Sequence, residues 1–145
     1  MNLKPALRAI VFTFVAAGGP FLIQGVSGKP ADRVERHGMV IGIKPEKIEY
    51  YKSLHAAAWP AVLAKIKECR IRNYSIYLKE VEKGKFYLFS YFEYTGDDFQ
   101  ADMTKMAADP MTQSWWKETD PCQIPIATRG DKEFWSRMEE VFHTD

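Results

Sequence analysis

The chain has 145 residues, enough for one ordinary domain, with 46% hydrophobic and 27% charged residues and a formal net charge of +1. A near-neutral chain without a basic run excludes an electrostatic nucleic-acid binder. Its two cysteines, Cys69 and Cys122, form no C-x-x-C pair and have no histidine at ligand spacing, so neither a zinc site nor any other metal site is expected.

Met1–Arg8 is short and basic, Ala9–Gly28 is uncharged and largely apolar, and Val26-Ser27-Gly28 supplies small residues before Lys29. This pattern reads as a secretory signal peptide over residues 1–28. It predicts an exported protein, periplasmic or secreted, or one anchored through residues 9–28 if the segment is not cleaved. Residues 29–36 read as a linker, and residues 37–145 as the domain.

Arg36–Lys44 reads as a strand through Met39, Val40, Ile41 and Ile43. Pro45 suits the first position of a helix, with Glu46 in its first turn. Apolar residues then recur at Ile48, Tyr51, Leu54, Ala58, Val62, Leu63 and Ile66, the spacing of an amphipathic helix. Trp59-Pro60 predicts a kink or two helical pieces, because proline disfavours helical geometry in the residue before it. Asn73–Leu78 reads as a strand and Gly84 as a turn. Phe86–Tyr94 reads as an aromatic strand, apolar on both faces as in a sheet covered on both sides. Helical spacing returns over Asp97–Ala108, and Pro110 opens a short helix carrying Trp115 and Trp116. Asp120–Arg129 looks like a loop, and Glu140–His143 reads as the last strand. The cysteines read as two separate, partly buried thiols.

Strand, helix, strand, strand, helix, strand is the order of the ferredoxin-like split βαβ sandwich, an α+β plan. Its helices cover one sheet face, so the other face needs a partner or ligand. A homodimer packing sheet against sheet, as in a dimeric α+β barrel, is the simplest answer.

The sequence carries no G-x-S-x-G, H-E-x-x-H, P-loop or G-x-G-x-x-G. Asp97, Asp98 and Asp102 read as a solvated helix end. His37 and His143 read as surface or hydrogen-bonded residues near strand ends. His55 differs, lying four residues after Tyr51 and four before Trp59, on one side of a helix. Taken alone it reads as a core histidine, but its neighbours open a second reading as part of a pocket wall. Trp115-Trp116 reads either as a core anchor or as an apolar wall for the C–H face of a sugar ring, with Tyr74 adding a phenolic donor.

Tyr51-x-x-x-His55-x-x-x-Trp59-Pro60, Asn73-Tyr74-Ser75-Ile76-Tyr77-Leu78, Trp115-Trp116-Lys117 and Glu140-Val141-Phe142, in this order, resemble the L-rhamnose mutarotase family. The resemblance runs from about His37 to His143. It implies a ferredoxin-like homodimer that interconverts the α and β anomers of L-rhamnose or a similar 6-deoxy aldose, without metal or organic cofactor. It places His55 as proton donor, and Tyr51, Tyr74, Trp115 and Trp116 as sugar-binding residues. Two other readings remain open on the residues alone. One is a noncatalytic small-sugar-binding protein of the same dimeric type, and the other is a monooxygenase of the related dimeric α+β-barrel type.

Overall fold

A computed structural model describes residues 34–144. The elements are β1 (Glu35–Ile43), α1 (Ile48–Ala56), α2 (Pro60–Glu68), β2 (Ile71–Glu82), β3 (Lys85–Tyr94), α3 (Phe99–Ala108), α4 (Pro110–Thr119), β4 (Gln123–Ile124) and β5 (Ser136–Met138). All strand pairings are antiparallel, in the order β2-β3-β1-β4, with β5 also on β1. This is the ferredoxin-like α+β plan.

Local sequence sets the element ends. Proline has no N–H to donate and opens a helix well. Trp59 is accordingly extended, with φ −65° and ψ 131°, and the helix resumes at Pro60. Asp98 caps α3, its carboxylate accepting the Ala101 N–H at 2.9 Å. Such a cap contributes about 1 kcal/mol. Asp109 caps α4 by accepting from the Thr112 N–H at 2.8 Å and its hydroxyl at 3.0 Å. Gly84 closes the β2–β3 hairpin with φ +77°, a conformation glycine adopts without a side-chain penalty.

On β3 the buried residues Leu88, Ser90, Phe92 and Tyr94 alternate with half-buried Tyr87, Phe89, Tyr91 and Glu93. The first set faces the helices, and Leu88 and Phe92 from it enter two apolar clusters. One holds Ile41, Ile43, Tyr51, Leu88 and Cys122, and the other Cys69, Ile71, Phe92 and Met103. The cysteines are thus free, buried thiols in different clusters. The aspartates near α3 have structural partners beyond solvent, for Asp102 accepts the Tyr94 hydroxyl at 2.8 Å.

Three expectations change. The last strand is Ser136–Met138, not Glu140–His143, because Ser136–Met138 already takes the free edge of β1 opposite Gly38–Val40. Val141 and Phe142 are left 89% and 80% exposed. The expected loop after Asp120 opens with a 3-10 turn at Asp120–Cys122 and the short β4, because Lys44 N–H donates to the Cys122 carbonyl at 2.9 Å. His37 is no surface residue. Its ring stacks between Phe92 and Phe99 at centroid distances of 4.8 and 4.4 Å.

Candidate active site

His55 lies in the last turn of α1, with Nδ1 2.9 Å from the Tyr51 carbonyl oxygen one turn back. A carbonyl only accepts, so Nδ1 carries the proton and Nε2 keeps its lone pair. The ring is flanked by Tyr51, with centroids 4.2 Å apart, and by Trp115 at 5.2 Å in an edge-to-face arrangement. Trp59 packs edge-to-face on Trp115 at 5.3 Å. Burial pulls the His55 imidazole below its ordinary value, opposed in part by the Tyr51 carbonyl. The neutral ring therefore dominates at neutral pH.

Tyr74 reaches the same place through a β-bulge. Arg72 pairs with Glu93 and Ser75 with Tyr91, so Asn73 and Tyr74 together oppose Phe92. Asn73 absorbs the extra residue in the left-handed region at φ +49°, and its amide donates to Glu93 at 2.6 Å. A bulge re-aims the side chains beyond it. Ile71 and then Tyr74 and Ile76 consequently all face the helices, and Tyr74 packs edge-to-face on Phe92 at 5.6 Å. Tyr74 is 42% exposed as a whole residue, and desolvation where it lines the cavity pushes its hydroxyl up to about 12. Burial also drives the Tyr51 phenol strongly upward, with the Gln123 hydrogen bond pulling weakly the other way. Both phenols stay protonated across physiological pH and serve as donors, not bases.

Tyr51, His55, Tyr74, Trp115 and Trp116 all line one cavity of about 240 Å³, between the helices and the sheet. Trp59 does not line it and supports Trp115 from behind. The far end is apolar, with Met39, Phe99, Met103 and Met106. Sequence reasoning missed Gln123, Glu133 and Arg137, which also line it. Gln123 Nε2 donates to Tyr51 Oη at 3.3 Å. Glu133 accepts the Gly130 N–H at 3.1 Å and faces Arg137 Nε at 3.5 Å. The four-residue spacing of Glu133 and Arg137 was a visible signal, whereas Gln123 gave none.

A second cavity of about 410 Å³ shares the His55, Tyr51, Tyr74 and Trp115 wall but is otherwise aliphatic apart from Lys52. Beyond that shared wall the first cavity adds Thr112, Thr119, Gln123, Glu133 and Arg137, whereas the second adds only Lys52 as a polar side chain. The first cavity is therefore the better candidate for acid–base chemistry, pairing a basic nitrogen with phenols, an amide and an aromatic wall.

A sequence profile described as L-rhamnose mutarotase matches residues 36–144. The chain belongs to the L-rhamnose mutarotase family. The L-rhamnose mutarotase of Oceanobacillus iheyensis is 30% identical over 112 residues, spanning 77% of this chain and 100% of the relative. That of Bacillus subtilis is 32% identical over 118 residues, with the same coverage. The crystal structure of an L-rhamnose mutarotase from Formosa agariphila, 21% identical, superposes with a TM-score of 0.58 over 77% of this chain and 99% of the other, and supports the shared fold.

These relatives correct the expected localisation. All are named L-rhamnose mutarotases, and the reading of an exported or membrane-anchored protein is withdrawn. Among the described residues no helix is long and apolar enough to cross a membrane. Residues 1–28, on which the signal-peptide reading rested, lie outside the described residues.

Proposed function

We propose that this member of the L-rhamnose mutarotase family is an isomerase that interconverts the α and β anomers of L-rhamnose or a similar 6-deoxy aldose, with His55 as its proton-transfer residue. The observation that carries this reading is the orientation of His55. Nδ1 is tied to the Tyr51 carbonyl, and the ring lines a cavity walled by Trp115 and Trp116.

Mutarotation opens a hemiacetal ring and recloses it on the other face. The anomeric hydroxyl must lose a proton and the ring oxygen must gain one as the bond between C1 and the ring oxygen breaks. Both oxygens are bonded to C1, so one nitrogen can serve them in turn. Nε2 takes the anomeric proton, and the imidazolium returns it to the departing ring oxygen. The aldehyde rotates about C1–C2, and the same steps in reverse close the other anomer. Tyr51 and Tyr74 donate hydrogen bonds to sugar oxygens, while Trp115 and Trp116 hold the C–H faces and exclude water. No electrons are gained or lost, and His55 ends in the protonation state in which it began.

Saturation-transfer NMR between sugar anomers tests the reading. Exchange above the protein-free rate, removed by His55→Ala, is expected. Fluorescence quenching by L-rhamnose without faster exchange would mark a sugar-binding protein and reject the enzyme.

The functional unit we propose is a homodimer. Supporting it, the sheet face opposite the helices carries Tyr87, Phe89 and Tyr91, with Tyr77 62% exposed. The exposed Val141 and Phe142 add apolar surface at the chain's end. Analytical ultracentrifugation should give twice the chain mass, and a monomer would reject this part.

A further inference from the structure

Gln123 is an unusual residue for its place. It sits 7% exposed on a strand of two residues, in a segment with prolines at 121 and 125, and its amide lies against a tyrosine 72 positions earlier. The surrounding chain holds it firmly. Gln123 pairs with Ile43 on β1, and Lys44 ties down the preceding turn through its backbone N–H to the Cys122 carbonyl and its ammonium to the Pro121 carbonyl at 2.7 Å. Cys122 Sγ donates to the Glu118 carbonyl at 3.4 Å. β4 lies so close to β1 that a Cβ on Gly42 would meet the Ile124 carbonyl oxygen at 2.9 Å. That approach needs glycine at 42.

We propose that Gln123 is a positioning residue for Tyr51, whose phenolic proton it directs into the sugar cavity. The inference rests on the mutarotase reading above. A phenol oxygen accepts and donates, whereas a side-chain N–H only donates. Because Nε2 donates to Tyr51 Oη, the phenol's own proton is not used on Gln123 and is free for an acceptor in the cavity. The acceptor of matching chemistry is a sugar oxygen that gains negative charge as the ring opens. A hydrogen bond aimed in advance at such an atom lowers the barrier more than it strengthens binding.

The test reverses the polarity of the contact. Gln123→Glu keeps the shape, but its carboxylate only accepts and captures the Tyr51 proton. Gln123→Met keeps the length and removes the amide. Anomer exchange is measured for both in the wild-type and Tyr51→Phe backgrounds, with thermal unfolding as a check on folding. We expect kcat to fall about tenfold in Gln123→Glu, the scale of one lost hydrogen bond, with KM changing less. Gln123→Met should fall only a few-fold, since its phenol is unaimed but not captured. Neither change should cost anything further in Tyr51→Phe, which has no phenolic proton to direct.

Equal losses in the two backgrounds would overturn the proposal, as would an unchanged kcat in Gln123→Glu. If Gln123→Glu fails to fold, Gln123→Met decides alone, and an unchanged kcat there overturns it. Wild-type protein that binds L-rhamnose without exchanging its anomers would defeat the mutarotase reading itself. With an active wild type, the variants report on Gln123 alone.

Discussion

Two histidines are drawn into the protein, and only one of them borders the cavity. His37 and His55 both have an imidazole pulled below its ordinary value, chiefly by burial. His37 is sandwiched between Phe92 and Phe99, and its Nε2 is buried without a hydrogen-bond partner, 3.8 Å from the Glu35 carboxylate. It does not line the cavity. His55 has one nitrogen fixed by a backbone carbonyl and an aromatic ring on either side, and it borders the cavity. A depressed proton affinity is thus shared by a packing residue and a cavity-lining one. What separates them is an anchored nitrogen together with a free one beside a space that a ligand fits.

The sharpest way to break this comparison is to remove each ring. His55→Ala should lower catalysed anomer exchange about 10²–10⁴-fold, the scale of a lost general acid–base group. His37→Phe, which preserves the stack, should leave exchange within about twofold, because its ring packs behind Phe92 and Phe99 and does not itself line the cavity. A large loss in His37→Phe, read by the same NMR experiment, would erase the distinction. Next in size is Trp115→Ala, which removes both a core anchor and the wall behind His55. Chemical denaturation should show a loss of about 3–5 kcal/mol, with exchange falling as well.

The pH dependence should be smaller and separable. In the proposed mechanism exchange needs neutral His55, so the acid limb of kcat/KM should have its midpoint below 6.5, not at it. Stability follows the same direction. Both histidines bind protons more weakly folded than unfolded, so the unfolded chain takes up more protons below about pH 6.5. The melting temperature should therefore drop as pH falls from 6.5 towards the folded values, and recover above 6.5. His37→Phe should flatten that slope, and an unchanged slope would mean His37 is not its source.

Much of this was legible in the sequence because it depends on neighbours along the chain. Tyr51 and His55 share a helix face, Pro60 starts a new helix, and Trp115-Trp116 follow Pro110 by a turn and a half. His37 was misread although the signal was present. It is in phase with Met39, Ile41 and Ile43, and that alternation placed it inward, while its position near a strand end suggested solvent. The last strand was misread for another reason. Val141 and Phe142 have the side chains of a strand, but pairing goes to whichever segment meets the free edge, and Ser136–Met138 meets it. Gln123 could not be read at all, since its contact with Tyr51 is made only when β4 docks on β1.

The extra residue at Asn73 has a consequence for how such chains can change over time. It acts as a frame shift within β2, separating a stretch read on one parity from a stretch read on the other. Deleting that residue would keep Tyr74, Ile76 and Leu78 inward, opposite Phe92, Ser90 and Leu88, whereas pairing it regularly would slip the rest of β2 by one and turn all three outward, exchanging them for Ser75, Tyr77 and Lys79. A point substitution along β2 changes one side chain, whereas a substitution at Asn73 that straightened the strand would rewrite a whole wall of the cavity in one event.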